Sequence, residues 1–523
     1  MTGFETTMPS PSLPKQHPPC SRWAIFEHLF IPEKDTPSIL IALGVITLIG
    51  FVLRIIDLNQ SIAYDEAYTF IHFASRDFKH ILADYSAPNN HIFHTILVGI
   101  AYRLFGGQPW VLRLPAFLAG ILMVPAMYIT ARRFFSAHQA LAASGLAAIT
   151  PLFVNYSVNG RGYTMLVLFA LLLANFAGIL VVQRSRPALL AFLLTAALGF
   201  YTIPIFLYPM AGISLWVTVT YLFSKEPWQE RRRKLGLFLG ACVAAGLLTL
   251  VLYSPVILFG SGLSSIVGNE IVRSLSWSTF LENLDPRIIK AWNKWMIGIS
   301  PLVEYLFLAG FVVSLLFYRK ISNQKLPLQV FLAFAVLILL VLQRVSPLPR
   351  IWIYLEAFYL MFAAAGLIGL VEVPLRKTLG SVQMGRILTF AISLVFLGAM
   401  TSMLIARAQN PVFSDLDLLP EAYAADYIAE HLTPEDTIVA TGPVDIQTAY
   451  YLSLQGISFD HFYKRDHPVE IQNALVMLRK NSKYKTPESV VDFFKLDQTL
   501  DLSAAELVFE YASVQIYSVP ARK

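Results

Sequence analysis

Apolar stretches long enough to cross a membrane recur along most of this chain, and they constrain its fold more than any other feature. An α-helix rises about 1.5 Å per residue, so roughly 20 apolar residues cross a hydrocarbon core of about 30 Å. By that length rule there are about 11 predicted spans. They cover residues 39–56, 110–131, 139–156, 163–182, 188–203, 205–223, 235–258, 300–318, 328–343, 351–371 and 387–406. Only 14% of residues are charged, against about 25% in a soluble domain, and the mean hydropathy is +0.58. The run His91–Phe105 is short and is predicted to lie at the interface or to re-enter. The expectation is an all-α polytopic membrane protein carrying a small C-terminal extracytoplasmic α/β domain.

Basic residues set the orientation, because cytoplasmic loops are enriched in Lys and Arg. The clusters Arg132/Arg133, Arg184/Arg186, Lys225 with Arg231–Lys234, Arg319/Lys320/Lys325 and Arg376/Lys377/Arg386 fall on one side if 91–105 does not cross. The predicted topology therefore has the N-terminus inside and the C-terminus outside. Residues 1–38 read as a cytoplasmic tail without the apolar core of a signal peptide, so the first apolar run is expected to be a retained anchor. Residues 39–406 form the membrane module and 407–523 the outer domain, with strands predicted at 437–441 and 507–519 and helical patterns at 418–432, 445–454, 468–480 and 487–496. Cys20 and Cys242 lie in unlike settings, and no disulfide is expected between them. The net charge of +6 is modest and gives no reason to expect a nucleic-acid partner.

In this topology four loops face outward, 57–109, 156–162, 259–299 and 344–350, and they hold the candidate chemistry. Asp65 and Glu66, within Ala63-Tyr64-Asp65-Glu66-Ala67-Tyr68, are adjacent carboxylates just beyond a span. Such a pair serves as a general base or metal ligand; it equally suits a helix N-terminus, where the dipole favours negative charge. Asn90, His91 and His94 follow, the histidines at a spacing that permits ligation and also fits polar residues at an interface. Arg161, beside Tyr163, is the lone charge of a tight turn between apolar helices; its fork suits phosphate, or it snorkels to headgroups. Arg287, Lys290 and Lys294 share a helix face with Trp292 and Trp295 nearby, fitting a lipid phosphate or plain headgroup anchoring. Arg344 and Arg350 bracket another outer turn. Asp415-Leu416-Asp417 has the form of a nucleotide-sugar D-x-D motif but stands before a helix as an N-cap would.

Taken in order, these motifs resemble the GT-C membrane glycosyltransferases, and among them the bacterial branch related to protein O-mannosyltransferases and the lipid A aminoarabinose transferase. Tyr64-Asp65-Glu66-Ala67 is similar to the Asp-Glu motif of the first outer loop; Asn89–Tyr102 with Leu104-Phe105-Gly106 and Arg113-Leu114-Pro115 is similar to the second motif; Pro151–Tyr163 is similar to the third, with Arg161 and Tyr163 matching. Asn90-His91 stands where the family has Pro-Pro, and Asn159-Gly160 where it has Glu-Ala. The resemblance implies a polyprenyl-phosphate sugar donor, a glycan, lipid or protein acceptor outside the cytoplasm, inversion at the anomeric carbon, and a plasma (inner) membrane location. It maps the catalytic carboxylate onto Asp65, with Glu66 assisting. Donor phosphate binding is expected from Arg161, Tyr163, Lys290, Lys294 and Arg350, and acceptor or sugar contacts from Tyr64, Asn90, His91 and His94. Relatives differ in using a divalent metal, which Asp65 and Glu66 would hold. The expected chemistry asks for a base and for cations at the departing phosphate, with burial raising the carboxylate's pKa toward working pH. A secondary transporter or lipid flippase shares the spans, but it places charges within helices; here they stand at helix ends and loops.

Overall fold

The computed structural model describes residues 22–31, 35–268, 273–378, 381–409, 419–465 and 469–522. Asp415, Asp417, Cys20 and most of the 1–38 tail lie outside the described residues. Among those described, seven helices are long and apolar enough to cross a membrane, or eight if the bent pair Ala137–Ile149 and Pro151–Ser157 is one span. Each predicted span coincides with an apolar helix. Those at 188–203, 300–318 and 328–343 correspond to the shorter helices Arg186–Thr202, Pro301–Leu316 and Leu328–Gln343, and Ile92–Phe105 is a fourth short apolar helix. Prolines open several of these helices, including Pro37–Ile55, Pro109–Phe134 and Pro301–Leu316, where a missing N–H costs nothing.

The bent pair shapes the site. Thr150 ends one helix in an extended conformation and Pro151 begins the next, turning the axis by 58°. The buried Arg54, at the end of the first span, holds this bend. Its guanidinium donates to the carbonyls of Ala148 (2.8 Å) and Ala147 (3.1 Å) and to the Ser157 hydroxyl (3.0 Å). Carbonyls left over at a helix break thus find a donor inside an apolar bundle, where none would come from water.

One end of the bundle gathers the basic clusters. Arg133 donates to the carbonyls of His28 and Leu29, and His28 meets Ser185 at 2.7 Å. Arg184 pairs with Glu230 and Lys234 with Glu226, while Gln324 donates to the Arg133 carbonyl. The loops at 57–109, 156–162 and 344–350 meet at the other end, where Gly160 donates to Glu66 and Arg161 and Arg350 pair with Asp65, and the C-terminal domain packs on the first of them.

That domain has a four-stranded sheet in the order β1-β2-β4-β3: β1 Asp436–Ala440, β2 Asn473–Arg479, β3 Glu506–Tyr511 and β4 Val514–Pro520. β1 and β2 are parallel; the other pairs are antiparallel. Helices Pro420–His431, Val444–Leu454 and Pro487–Phe494 flank it. The helical pattern expected at 468–480 is corrected: its core is β2. Ala474 to Leu478 are all buried, because a central strand is covered on both faces and so presents a continuous apolar run rather than an alternating one.

The domain is fused to the 57–109 loop by a shared core in which Ile62, Ala67, Phe70 and Ile71 pack with Ala425, Ile428, Tyr450 and Ile516. Gln447 donates to the Ile62 carbonyl at 2.9 Å and Tyr450 to that of Gly107 at 2.7 Å.

Candidate active site

Asp65 occupies the first turn of the short helix Tyr64–Thr69, where a carboxylate meets the positive end of the dipole. Its Oδ2 lies 2.6 Å from Arg161 Nη1 and 2.8 Å from Arg350 Nη1. The carboxylate is 34% exposed, so the enclosed environment expected from the sequence is not found; two guanidinium groups and an open side surround it instead. Arg161 is almost fully buried, and Arg350 comes from the turn Pro349–Trp352, 285 residues further along than Asp65. Tyr163 underlies both cations, its ring centre 5.4 Å from Arg161 and 5.9 Å from Arg350. Tyr156 packs edge-on against Tyr163 and carries Lys294 over its own face at 5.5 Å. Burial and the neighbouring Arg350 charge lower the Lys294 ammonium pKa. Three cations thus converge on an aromatic floor, and the Nε groups of Arg161 and Arg350 are buried donors without a hydrogen-bond partner among the described residues.

Beside this cluster runs an apolar groove of about 420 Å³. Trp292 and Trp295 of helix Trp277–Trp295 form one wall, and Leu332, Val336 and Leu340 of Leu328–Gln343 another. Arg287 lies at the groove and donates to the Ser346 hydroxyl at 3.1 Å. Trp352, from the same Pro349–Trp352 turn as Arg350, also lines the groove and sets it next to the cation cluster.

Glu66 points elsewhere. It is buried, and Arg113 grips it with two bonds of 2.8 and 2.7 Å. Its carboxylate also accepts from the Ala63 N–H (2.8 Å) and the Gly160 N–H. Arg113 in turn donates to the carbonyls of Leu58, Gln60 and Ser61. With Asp65 bridged by arginines and Glu66 saturated by donors, the pair does not fit a divalent metal. No group of three or more His, Cys, Asp or Glu side chains suited to one occurs among the described residues.

The remaining predicted residues divide. His91 braces the turn: its Nδ1 accepts from the Gly162 N–H at 2.8 Å, and its Nε2 is 3.5 Å from Arg161 Nη2. Burial, then the Arg161 charge, hold its pKa well below the usual range, so the imidazole stays neutral. A Cβ on Gly162 would lie 2.8 Å from Thr202 Cγ2 and 3.0 Å from His91 Nδ1, which is why this turn takes glycine. Asn90 is fully buried and donates to the carbonyls of Ile81 and Asp84, so it closes its own loop. His94 is fully buried behind His91, with neither ring nitrogen partnered among the described residues. Tyr64 turns toward the C-terminal domain, its hydroxyl 3.4 Å from where a Cβ on Gly442 would stand. Lys290 is exposed and has no contact with the cluster among the described residues. Arg344 stacks over Trp277, away from Asp65.

Sequence reasoning missed Asn89, whose amide lies 3.5 Å from both Asp65 and Arg161, and the floor role of Tyr156. It also missed Arg54, whose only sequence signal is a charge at the end of an apolar run.

Residues 90–259 match the family described as dolichyl-phosphate-mannose-protein mannosyltransferase. ArnT from Cupriavidus metallidurans bound to undecaprenyl phosphate superposes with a TM-score of 0.59 at 17% identity, covering 92% of this chain and 97% of that one. The same protein in the apo state gives 0.57 at 16% identity with the same coverage. The Archaeoglobus fulgidus oligosaccharyltransferase in the apo form aligns at 0.46 and 12% identity, covering 88% of this chain and 73% of that one. A comparison with curated proteins yields no match.

Proposed function

We propose that this chain, which has the GT-C fold of ArnT, is a membrane glycosyltransferase that moves a sugar from a polyprenyl-phosphate donor to an acceptor hydroxyl outside the cytoplasm, with inversion. The observation that carries the reading is the pair Arg161 and Arg350, each with an unpartnered buried Nε among the described residues, flanking Asp65 beside an apolar groove. Buried donors without acceptors are costly, and a phosphate supplies acceptors to several at once. The groove suits an isoprenoid tail, and the ArnT of similar fold has been crystallised bound to undecaprenyl phosphate.

In this mechanism Asp65 takes the proton of the acceptor hydroxyl as that oxygen bonds to the anomeric carbon. The bond from that carbon to the phosphate oxygen breaks on the opposite face, and its electron pair leaves with the prenyl phosphate. Arg161, Arg350 and Lys294 stabilise the charge arriving on the phosphate. Before the donor binds, Asp65 stands in for the phosphate on the two guanidinium groups; the arriving phosphate draws them away and leaves the carboxylate free for the hydroxyl. Glu66 is a positioning residue, tying the Asp65 helix to the Arg161 turn through Arg113 and the Gly160 N–H.

Purified protein in nanodiscs, given radiolabelled prenyl-phosphate sugars and candidate acceptors, should release prenyl phosphate and label an acceptor. Uptake of the lipid-linked sugar across vesicles without bond cleavage would establish the transporter or flippase alternative instead. Arg161→Lys keeps one charge but loses the fork, so donor affinity and turnover should both fall. One charge-assisted hydrogen bond is worth about 1.5–3 kcal/mol, a tenfold loss or more; an unchanged donor KM and kcat would remove Arg161 from the phosphate site.

The orientation belongs to the same proposal: basic end inside, site and C-terminal domain outside, in a plasma (inner) membrane. In a cysteine-free background, an impermeant thiol reagent applied from outside should label a cysteine at Lys480 and spare one at Lys320. The reverse pattern would place the chemistry on the cytoplasmic side and overturn the reading.

A further inference from the structure

The C-terminal domain carries a second cavity, of about 560 Å³, against the 57–109 loop. It opens at the carboxyl end of β1, where Thr441 and Gly442 lead into helix Val444–Leu454. The carboxyl ends of parallel strands are where open α/β sheets bind ligands, and β1 is parallel to its neighbour β2.

Its lining combines three kinds of group. Phe459, Phe462, Phe493 and Phe494 supply apolar walls. Asp445 supplies a carboxylate within the cavity, one oxygen taken by the Ile446 N–H at 2.7 Å, and burial raises its pKa to about 6. Arg76, from the 57–109 loop, and Arg465, from the domain, supply guanidinium groups on exposed side chains. Arg465 stacks over Phe493 at 4.4 Å and Phe494 at 5.7 Å. The two rings anchor its guanidinium at the rim of the cavity, and its N–H groups have no hydrogen-bond partner among the described residues. Lys464 is already engaged by Asp460 at 2.8 Å, and His72 is kept neutral, its pKa lowered to about 4 by burial first and by Arg76 next.

We propose that this crevice is an acceptor-recognition subsite for an anionic saccharide, one bearing a phosphate or carboxylate. Aromatic faces suit the C–H surfaces of a sugar ring, and Asp445 accepts from ring hydroxyls. Arg76 and Arg465 grip the anionic substituent through charge-assisted bonds. The volume lies in the range of small-molecule pockets, about 300–1,000 Å³. The crevice adjoins the helix that carries Asp65: Tyr64 reaches Gly442, and Tyr68 of the same helix packs on His72 with ring centres 4.2 Å apart. A saccharide held here lies against the elements that position the base. The proposal rests on the glycosyltransferase reading for the word acceptor, but not for the binding itself.

The test measures binding and transfer separately on the full chain in nanodiscs. The binding probes are 3′-sialyllactose and maltose 1-phosphate, with lactose, maltose and inorganic phosphate as controls. The anionic sugars should bind at least tenfold more tightly than the neutral ones and than inorganic phosphate. Arg76→Gln and Arg465→Gln should each weaken them roughly tenfold, the loss expected for one charge-assisted contact. Arg465→Lys should keep part of the affinity, and Asp65→Asn should bind normally. In transfer assays Arg465→Gln should raise the acceptor KM with little change in kcat. Neutral sugars or inorganic phosphate binding as tightly as the anionic sugars would overturn the proposal, as would arginine variants that bind normally. Specific binding without any transfer would keep the subsite and discard the glycosyltransferase reading; transfer that is indifferent to both arginines would do the opposite.

Discussion

Asp65→Asn should lower transfer by about 10²–10⁴-fold, the usual cost of removing a general base, without weakening donor binding. The amide keeps the size and one acceptor oxygen, so Arg161 and Arg350, at 2.6 and 2.8 Å in the native site, still have a neutral partner. It cannot take the proton of an incoming hydroxyl. Removing the negative charge also removes the competitor that a donor phosphate must displace from both guanidinium groups, so donor KM should hold or fall while kcat collapses. That split separates a base from a residue that only binds donor, whose loss would raise KM. Single-turnover transfer with lipid-linked sugar, measured on protein that still melts cooperatively, gives the answer. Near-normal turnover in the variant would take Asp65 out of the chemistry.

Glu66→Ala and Arg113→Ala should act on stability instead. Breaking a buried ion pair by removing one partner costs about 3–5 kcal/mol, because the other charge stays buried and unpaired. Here both side chains are about 1% exposed and the pair is bidentate. Glu66→Gln is not a mild change either, since its NH2 must face a donor, either Arg113 or a backbone N–H of Ala63 or Gly160. The expected result is a clear drop in melting temperature and faster proteolysis in the 57–109 loop. The double variant should lose less than the sum of the two single losses, since each removes the same interaction. Full stability in Glu66→Gln, with a loss of kcat like that of Asp65→Asn, would return Glu66 to a catalytic role.

These contrasting roles for adjacent carboxylates mark a limit of sequence reading. Asp65 and Glu66 read alike as a motif, yet neighbours on a helix point about 100° apart. One meets Arg161 and Arg350; the other meets Arg113 and the Gly160 N–H. Lys290 and Lys294 share a helix face by spacing, but only Lys294 reaches the aromatic floor, because the second turn of a face need not touch what the first touches. Asn90 and His94 fit a sugar-binding pattern and are instead fully buried. The apolar run in 468–480 carries no period that separates a buried strand from a helix, and its pairing with β1 and β4 is what makes it β2.

The sequence by itself determined the membrane architecture, the helix order and the loops that hold charge, since lipid accepts only long apolar helices and expels unpaired charge to their ends. It also pointed to Asp65, Arg161 and Arg350 as separate candidates. Only the tertiary structure brought both arginines onto Asp65, gave Glu66 to Arg113, and laid the C-terminal domain against the Asp65 helix. Those contacts join residues far apart in the chain, and no local propensity or spacing encodes which of them meet; burial and the pairing of buried charge in the packed bundle decide it.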